Sequence, residues 1–416
     1  MMEFRNLLFR GRAVDLSTDG GRISAITPSA ASGPPRFVLS PAFYNTHTHL
    51  AMSLLRGYAD DMRLMDWLQN RIWPLEALMT PEDVYAGTRL AIVEMVHSGC
   101  VFANDMYWFA PQVARAAAEA GIRCAVSIQT IETGGPGKND PRNIESNRAL
   151  ESLPRDPSSA RVFAVYAPHA VYTVCPETLR ETAARARSEN AFLHVHASET
   201  AAEVSDCEKK HGCSPVALLG KTGCLGERTV LAHCVHLSDA DISLIKDSGS
   251  VIAENAQSNM KLASGMFPYA RAAGAARCRH SIGTDGACSN NSLSMFAEMK
   301  AAALLAKVES GDPVAASAGE IFAAATRGGA QAFGLDAGEI REGALADFIL
   351  LRADDPCFSP GFDFDSDMVY AASHSCVDTV VCDGRILMQG GKIPGEEEIV
   401  EEARRAAAAL RRRAGR

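Results

Sequence analysis

Three features are scarce in this sequence of 416 residues, and each scarcity excludes a class of protein. Basic residues are not in excess: the formal net charge is −9, so we expect neither a nucleic-acid partner nor binding to an anionic membrane. No apolar run is long enough to cross a bilayer, and residues 1–6 lack the apolar segment of a signal peptide. The twelve cysteines include no C-x-x-C pair, which is typical of a reduced cytoplasmic protein rather than a disulfide scaffold.

The length and the hydrophobic content of 47% suit one large barrel with a smaller unit attached. Short runs of alternating apolar and polar residues, broken by Gly and Pro, occur at both ends of the chain. They predict a small β-sandwich domain built from residues 1–41 and 343–416. A charged, Ala-rich helix is expected from Glu396 to Arg416.

Residues 42–342 contain apolar segments typical of strands, which alternate with helical segments. The predicted strands end near His49, Asp105, Gln129, His169, Glu199, His233, Glu254 and Asp285. Eight strands alternating with helices in one direction predict an α/β fold of the TIM-like (β/α)₈ barrel type. In such a barrel the chemistry gathers at the C-terminal ends of the strands.

His47 and His49 stand one residue apart at the end of the first predicted barrel strand. Side chains at positions i and i+2 of a strand share a face, so both imidazoles project together. His196 and Asp285 stand at the ends of later strands, and neutral imidazoles with a carboxylate suit a first-row divalent ion. We therefore predict one metal ion held by these four residues. Zn²⁺ is our first choice, and Fe²⁺ and Mn²⁺ suit the same donors.

His194 competes with His196, because the two share a strand face. His196 is preferred, since it is nearer the strand end and three residues before Glu199. A bound metal ion lowers the pKa of water and so supplies a nucleophile. Asp285 could accept the water's proton, and Glu199 could donate a proton to a ring nitrogen of the substrate. His233 could orient the water or stabilise an anionic intermediate.

In this order the residues resemble the amidohydrolase superfamily, and more narrowly the 5′-methylthioadenosine/S-adenosylhomocysteine deaminases. The matching blocks are spread over most of the chain: residues 45–49, 54–61, 72–76, 167–169, 196–200, 233–237, 258–265 and 283–291.

The resemblance implies hydrolytic deamination at C6 of an adenine nucleoside, which gives the inosine derivative and ammonia. The candidate substrates are 5′-methylthioadenosine, S-adenosylhomocysteine, adenosine and 5′-deoxyadenosine, and their ranking stays open. A single metal ion is implied, and residues 161–167 contain no Lys that could bridge two.

The resemblance also implies substrate-binding roles for four residues. Glu76 would bind the ribose hydroxyls, and His169 would lie near the ribose or the attacking water. Arg142 and Arg161 are the positional matches for arginines that hold an amino-acid carboxylate.

One departure and two alternatives accompany this interpretation. Relatives begin the segment before Ser258 with a His-Asn-Pro-like sequence, whereas this chain has residues 254–257 as Glu-Asn-Ala-Gln. The change either is harmless or alters substrate choice. The alternatives are hydrolysis of another nitrogen heterocycle, such as a guanine-like base or a chloro-triazine, and a non-catalytic binding protein stabilised by metal. In each case we expect a small-molecule ligand and a homo-oligomer.

Overall fold

A computed structural model describes residues 1–415 of the chain. In chain order, its strands are β1 (Met2–Phe9), β2 (Arg12–Asp19), β3 (Arg22–Pro28), β4 (Phe37–Pro41), β5 (Phe43–His49), β6 (Cys100–Asp105), β7 (Arg123–Thr130), β8 (Val162–Pro168), β9 (Leu193–Ala197), β10 (Thr229–His233), β11 (Val251–Glu254), β12 (Arg279–Ile282), β13 (Asp285–Gly286), β14 (Phe348–Arg352), β15 (Val377–Cys382) and β16 (Arg385–Met388).

The α-helices lie mainly between the barrel strands. They are α1 (Leu64–Trp67), α2 (Trp73–Glu76), α3 (Pro81–His97), α4 (Ala110–Ala120), α5 (Pro141–Ala149), α6 (Pro176–Ser188), α7 (Ala201–His211), α8 (Pro215–Lys221), α9 (Asp239–Ser248), α10 (Ala256–Lys261), α11 (Met295–Ser310), α12 (Ala318–Ala323), α13 (Gly329–Ala332), α14 (Phe364–Ser366) and α15 (Glu396–Arg413). Short 3₁₀ or π segments cover Leu50–Leu55, Leu68–Ile72, Ala270–Ala275, Ala324–Gly328, Pro356–Phe358, Asp367–Ala371 and His374–Cys376.

Both ends of the chain contribute to one seven-stranded mixed sheet, in the order β16-β15-β14-β4-β1-β2-β3. Strand β4 joins the two parts, because it pairs parallel with β1 and antiparallel with β14. Leu16, Leu39 and Phe348 lie in its separate small core. The sheet is the small β-sandwich unit expected from the sequence. We propose the boundaries 1–41 and 343–416 for it, of which residue 416 lies outside the described chain.

The second sheet is the barrel, with strand order β12-β11-β10-β9-β8-β7-β6-β5-β13 and parallel pairing throughout. After β12 pairs with β11, the chain continues into β13, where Asp285 lies opposite Thr48 of β5. The cylinder thus closes. The predicted (β/α)₈ barrel is confirmed, and its predicted strand ends agree closely with β5 to β12. The barrel core is filled mainly by aliphatic and aromatic side chains.

Gly283 stands at the junction between β12 and β13, where the eighth strand passes close to the first. A Cβ atom at this position would lie 2.6 Å from Asn255 Oδ1 and 2.8 Å from the backbone nitrogen of His47. Only glycine fits such an approach. The close contact brings Asp285 next to the two histidines that end β5.

Local sequence explains where the helices begin and end. Helix α3 starts with a capping box, in which Thr80 and Asp83 bond each other's backbone N–H groups, and Pro81 occupies its first turn. The C-terminal helix α15 has acidic residues in its first turn and basic residues in its last, as the helix dipole favours. Arg416, the last residue of that predicted helix, is outside the described part of the chain.

Within residues 1–415, no helix has both the length and the apolarity needed to cross a membrane. All twelve cysteines are free thiols.

Candidate active site

Four side chains from three separate strands converge at the C-terminal end of the barrel. The Oδ1 atom of Asp285 lies 3.3 Å from His47 Nε2 and 3.2 Å from His49 Nε2. The Nε2 atoms of His49 and His196 are 3.4 Å apart. Ligand atoms of His47 also lie within 4.8 Å of those of His196 and His233. The structure therefore brings together the four residues predicted to hold a metal ion.

Each of the three histidines is oriented through its Nδ1 atom, which leaves Nε2 facing the centre of the group. The partners are His194 Nε2 for His47 at 2.8 Å, the Met106 carbonyl for His49 at 2.5 Å, and the His169 carbonyl for His196 at 2.8 Å. Such outer partners fix ring orientation and tautomer in metal sites. His194 accordingly lies behind His47, away from the convergence of Nε2 atoms.

Asp285 is oriented by two serines. Ser258 and Ser289 donate hydrogen bonds to its Oδ2 atom at 2.6 and 2.7 Å, so that Oδ1 faces the histidines. Burial alone would raise the pKa of Asp285, but the neighbouring imidazoles of His47 and His49 outweigh it and hold the pKa well below its ordinary value. The carboxylate is therefore ionised and directed into the group.

The donor atoms suit a divalent cation. His47 Nε2 is buried and makes no hydrogen bond, a costly arrangement unless something binds there. Burial lowers the pKa of His47 to about 4, so its imidazole is neutral, as a metal ligand must be. Neutral imidazoles with one carboxylate are donors that zinc and similar ions prefer.

Glu199 lies beside this group, at the end of β9. Its Oε1 atom accepts a hydrogen bond from Ser264 at 3.2 Å, and its Oε2 atom lies 3.8 Å from His233 Nε2. Burial raises the pKa of Glu199, which makes it easier for this carboxyl to carry a proton. His233 is held from behind, because its Nδ1 pairs with Asn259 Oδ1 at 2.8 Å.

A pocket opens from these residues and is walled by aromatic and aliphatic side chains. All three tryptophans of the chain, Trp67, Trp73 and Trp108, line it. Glu76 is buried in its wall and accepts a hydrogen bond from Trp108 Nε1 at 3.3 Å. His169 also lines the pocket, and burial lowers its pKa to about 3, so its ring is neutral. The predicted substrate-binding residues Glu76 and His169 thus face one cavity with the metal-ligand group.

Arg142 lies beside the pocket, outside its lining. Its guanidinium stacks on the Trp108 ring, 3.9 Å from the ring centre. Two of its nitrogens also donate to the carboxylate of Asp140, at 2.9 and 3.1 Å. The charge that was expected to meet a substrate carboxylate is therefore already paired within the protein.

The expectation for Arg161 is corrected by the structure. Arg161 immediately precedes β8, so it lies at the N-terminal end of the barrel, whereas the pocket lies at the C-terminal end. Its Nη1 donates to Asp383 Oδ2 at 2.9 Å, in the β-sandwich unit. Strand polarity excludes it from contact with a ligand in the pocket.

At residues 254–257, where this chain departs from the family pattern, the side chains of Glu254 and Gln257 point away from the pocket. Glu254 is buried and lies 2.9 Å from His280 Nε2, and neither residue lines the pocket. Gln257 instead bonds the carboxylate of Glu298. The carboxyl group of Glu254 therefore has its partner, His280, inside the barrel wall.

Sequence reasoning missed the serines that orient Asp285 and the aromatic wall of the pocket. Ser258 and Ser289 lie inside the family-like blocks, but only the fold shows that their hydroxyls meet on one carboxylate oxygen. A local signal existed for the wall, because tryptophan is rare in this chain and two of the three stand close together, at positions 67 and 73.

Comparisons with known proteins agree with this geometry. The model of the Amidohydrolase family matches residues 38–387. A 5′-deoxyadenosine deaminase from Methanoregula boonei is 46% identical over 90% of this chain and 84% of its own length. A 5-methylthioadenosine/S-adenosylhomocysteine deaminase from Archaeoglobus fulgidus is 42% identical over 95% of each chain.

Solved structures give the same picture. An adenosine deaminase from Xanthomonas campestris with bound zinc superposes with a TM-score of 0.88, at 33% identity, and the match covers 96% of this chain and 94% of that one. An atrazine chlorohydrolase from Arthrobacter aurescens, complexed with zinc, shares the fold with a TM-score of 0.86 at 22% identity, over 96% of this chain and all of the other.

Proposed function

The chain belongs to the amidohydrolase family, and we propose that it hydrolytically deaminates an adenine nucleoside at C6. The observation that carries this proposal is one pocket holding three kinds of group. It contains the His and Asp donors for a cation, the buried acid Glu199, and the buried carboxylate Glu76 near its aromatic wall. The names of the nucleoside deaminases among its relatives support the same reaction.

In this reaction the oxygen of water forms a bond with C6, the bond between C6 and the exocyclic nitrogen breaks, and ammonia leaves. We assign proton transfer to the ring nitrogen to Glu199, whose burial favours the protonated form. Asp285 accepts one proton of the attacking water through Oδ1, since Oδ2 is held by Ser258 and Ser289, and passes it to the amino group that leaves as ammonia. The second proton of the water returns to Glu199 as the carbonyl forms at C6. His233, held by Asn259, stabilises the negative charge on the oxygen that attacks C6.

His47, His49, His196 and Asp285 would hold the cation. When bound, it supplies Lewis acidity and lowers the pKa of water towards neutrality. We propose zinc, because three imidazole nitrogens and one carboxylate match its preferred donors. The zinc bound in the adenosine deaminase of Xanthomonas campestris supports this choice.

The pocket supports a substrate with an adenine ring, a ribose and an uncharged 5′ group. Glu76 can accept two hydrogen bonds from ribose hydroxyls, and we assign it that role, with His169 beside it. None of the described residues that line the pocket is Lys or Arg, and Arg142 is paired with Asp140. We therefore propose that 5′-deoxyadenosine and 5′-methylthioadenosine are used better than S-adenosylhomocysteine.

An ultraviolet assay that follows the loss of adenine absorbance tests the function. Zinc-loaded protein is given adenosine, 5′-deoxyadenosine, 5′-methylthioadenosine and S-adenosylhomocysteine at equal concentration. We expect turnover of the first three and a lower kcat/KM for the last. No turnover of any, from protein holding one metal ion per chain, would contradict the proposal. A guanine-like base and a chloro-triazine would then be assayed next.

We also propose a cytoplasmic location and a homo-oligomeric state. The free thiols support a reducing compartment. Light scattering of the purified protein tests the oligomeric state.

A further inference from the structure

A buried carboxylate outside the pocket, Glu298, connects the two chain segments that orient Asp285. Glu298 lies in the first turns of α11 and is fully buried. Its Oε1 accepts the backbone N–H of Gln257 at 3.0 Å, and its Oε2 accepts the Gln257 side-chain amide at 2.7 Å. The same Oε2 accepts a third bond from Asn290 Nδ2 at 3.0 Å.

The residues that Glu298 bonds are the sequence neighbours of the two serines on Asp285. Gln257 precedes Ser258, and Asn290 follows Ser289. In each segment, one residue thus donates a hydrogen bond to Glu298 and the adjacent residue donates one to Asp285 Oδ2. The distance between the two serine hydroxyls therefore depends on the two segments remaining joined through Glu298.

We propose that Glu298 is a positioning residue, which acts through Ser258 and Ser289 to direct Asp285 Oδ1 toward His47 and His49. Burial raises the pKa of Glu298 to about 8. The three donors around it act in the opposite direction and favour the ionised carboxylate. Gln257 belongs to the segment in which this chain departs from the family pattern, and its side chain supplies the shortest of the three bonds.

This inference rests on the metal site of the proposed function, but it is tested by metal affinity rather than by turnover. The affinity of the protein for Zn²⁺ is measured by competition with a chromophoric chelator, for the wild type and for Glu298→Gln. We expect binding to weaken by about tenfold to a hundredfold, the usual effect of losing an outer partner of a metal ligand. Failure of the wild type to bind Zn²⁺ would contradict the proposed function itself, whereas equal affinity of the two proteins would overturn only the role of Glu298.

A double-mutant cycle separates action through the serines from general damage. The Ser258→Ala/Ser289→Ala protein and the same protein with Glu298→Gln should bind Zn²⁺ equally, because the path through the serines is already cut. Additive losses would overturn the proposal. In the charge swap Gln257→Glu/Glu298→Gln, the bond between the two side chains can form again, so we expect affinity closer to wild type than in Glu298→Gln alone.

Two further variants provide a substitute for Glu298→Gln and a control. If Glu298→Gln does not fold, Gln257→Ala removes the side-chain bond from a half-buried position, and the same weakening of Zn²⁺ binding is expected. Asp347→Asn alters another buried carboxylate, at the opposite end of the barrel, and serves as the matched control. It should lower thermal stability while Zn²⁺ affinity stays unchanged. An equal loss of affinity in Asp347→Asn would overturn the assignment.

Discussion

Both ends of the barrel contain buried charged groups, but they use them in opposite ways. At the C-terminal end, the Nε2 atoms of His47, His49 and His196 and a carboxylate oxygen of Asp285 converge, and the buried His47 Nε2 completes no hydrogen bond. At the N-terminal end, Arg123 and Asp347 form a buried two-point ion pair, at 2.8 and 3.3 Å. The polar groups at the C-terminal end can bind a cation, whereas those at the N-terminal end are already paired with each other.

The N-terminal network joins the barrel to the β-sandwich unit. The carboxylate of Asp347 also accepts the Tyr44 hydroxyl at 2.6 Å and the backbone N–H of Asp383 at 2.6 Å. Asp383 in turn accepts bonds from Arg123 and Arg161, both at 2.9 Å. Charge-assisted bonds of this kind satisfy buried groups and stabilise the fold.

Left-handed backbone conformations accompany the site at the C-terminal end, although Asp383 in the N-terminal network also has a φ angle of 52°. Ser198, His233 and Asp285, at the C-terminal ends of their strands, have positive φ angles of 52°, 72° and 62°. Such angles are unfavourable for residues other than glycine and are found most often at functional sites. The comparison teaches that the two ends differ in how buried polar groups are satisfied: the C-terminal end leaves His47 Nε2 without a hydrogen bond, and the N-terminal end pairs Arg123 with Asp347.

The largest expected effect comes from removing a group that faces the metal-ligand centre. His49→Ala should lose bound zinc and reduce kcat/KM by at least ~10⁴-fold, since the Lewis acid contributes several kcal/mol to the transition state. Zinc content is measured by atomic emission and activity by the absorbance assay. A variant that kept one zinc per chain would show that His49 is not a ligand.

Glu199→Gln should separate proton transfer from metal binding. Gln keeps the size of the side chain and the contact with Ser264 but carries no transferable proton. We expect a full complement of metal with kcat lower by ~10²- to 10⁴-fold. Metal analysis of the same preparation is the control. Loss of metal together with activity would mean that Glu199 is a ligand.

Disturbing the opposite end should alter stability and spare the chemistry. Asp347→Asn leaves Arg123 buried with a weakened partner, so the free energy of unfolding should fall by about 3 kcal/mol. Chemical denaturation measures the loss, and kcat at low temperature should remain close to wild type. A large fall in kcat in the folded variant would show that the two ends are coupled.

The same contrast explains how much could be predicted from sequence. His47, His49, His196 and Asp285 each follow an apolar strand, and parallel strands bring their C-terminal ends to one face, so their meeting was predictable. Arg161 was wrongly predicted to bind the substrate, because the prediction rested on its nearness to the strand. Arg161 precedes β8 and therefore lies at the opposite end of the barrel from the pocket.

The support of Asp285 was not predictable by the same reasoning. Glu298 meets Gln257 across 41 positions, and Ser258 meets Asp285 across 27. Nothing periodic marks these pairs, because their contacts depend on how α10 is placed against α11 and β13. Strand periodicity and polarity specify which face a residue occupies, but contacts between loops and helices follow from packing.

The smallest effects distinguish the two arginines. Arg161→Ala removes a partly exposed ion pair at the N-terminal end, so it should cost at most ~1 kcal/mol of stability and leave the KM of every nucleoside unchanged. Arg142→Ala removes the stacking partner of Trp108, worth ~0.5 to 1 kcal/mol, so KM should rise roughly twofold to fivefold for all four nucleosides alike. A rise confined to S-adenosylhomocysteine would instead mean that Arg142 leaves Asp140 to bind the substrate carboxylate, and the pocket would then be selective for charged 5′ groups as well. Comparing the four KM values in these two variants therefore decides whether any charge from beside the pocket reaches the substrate.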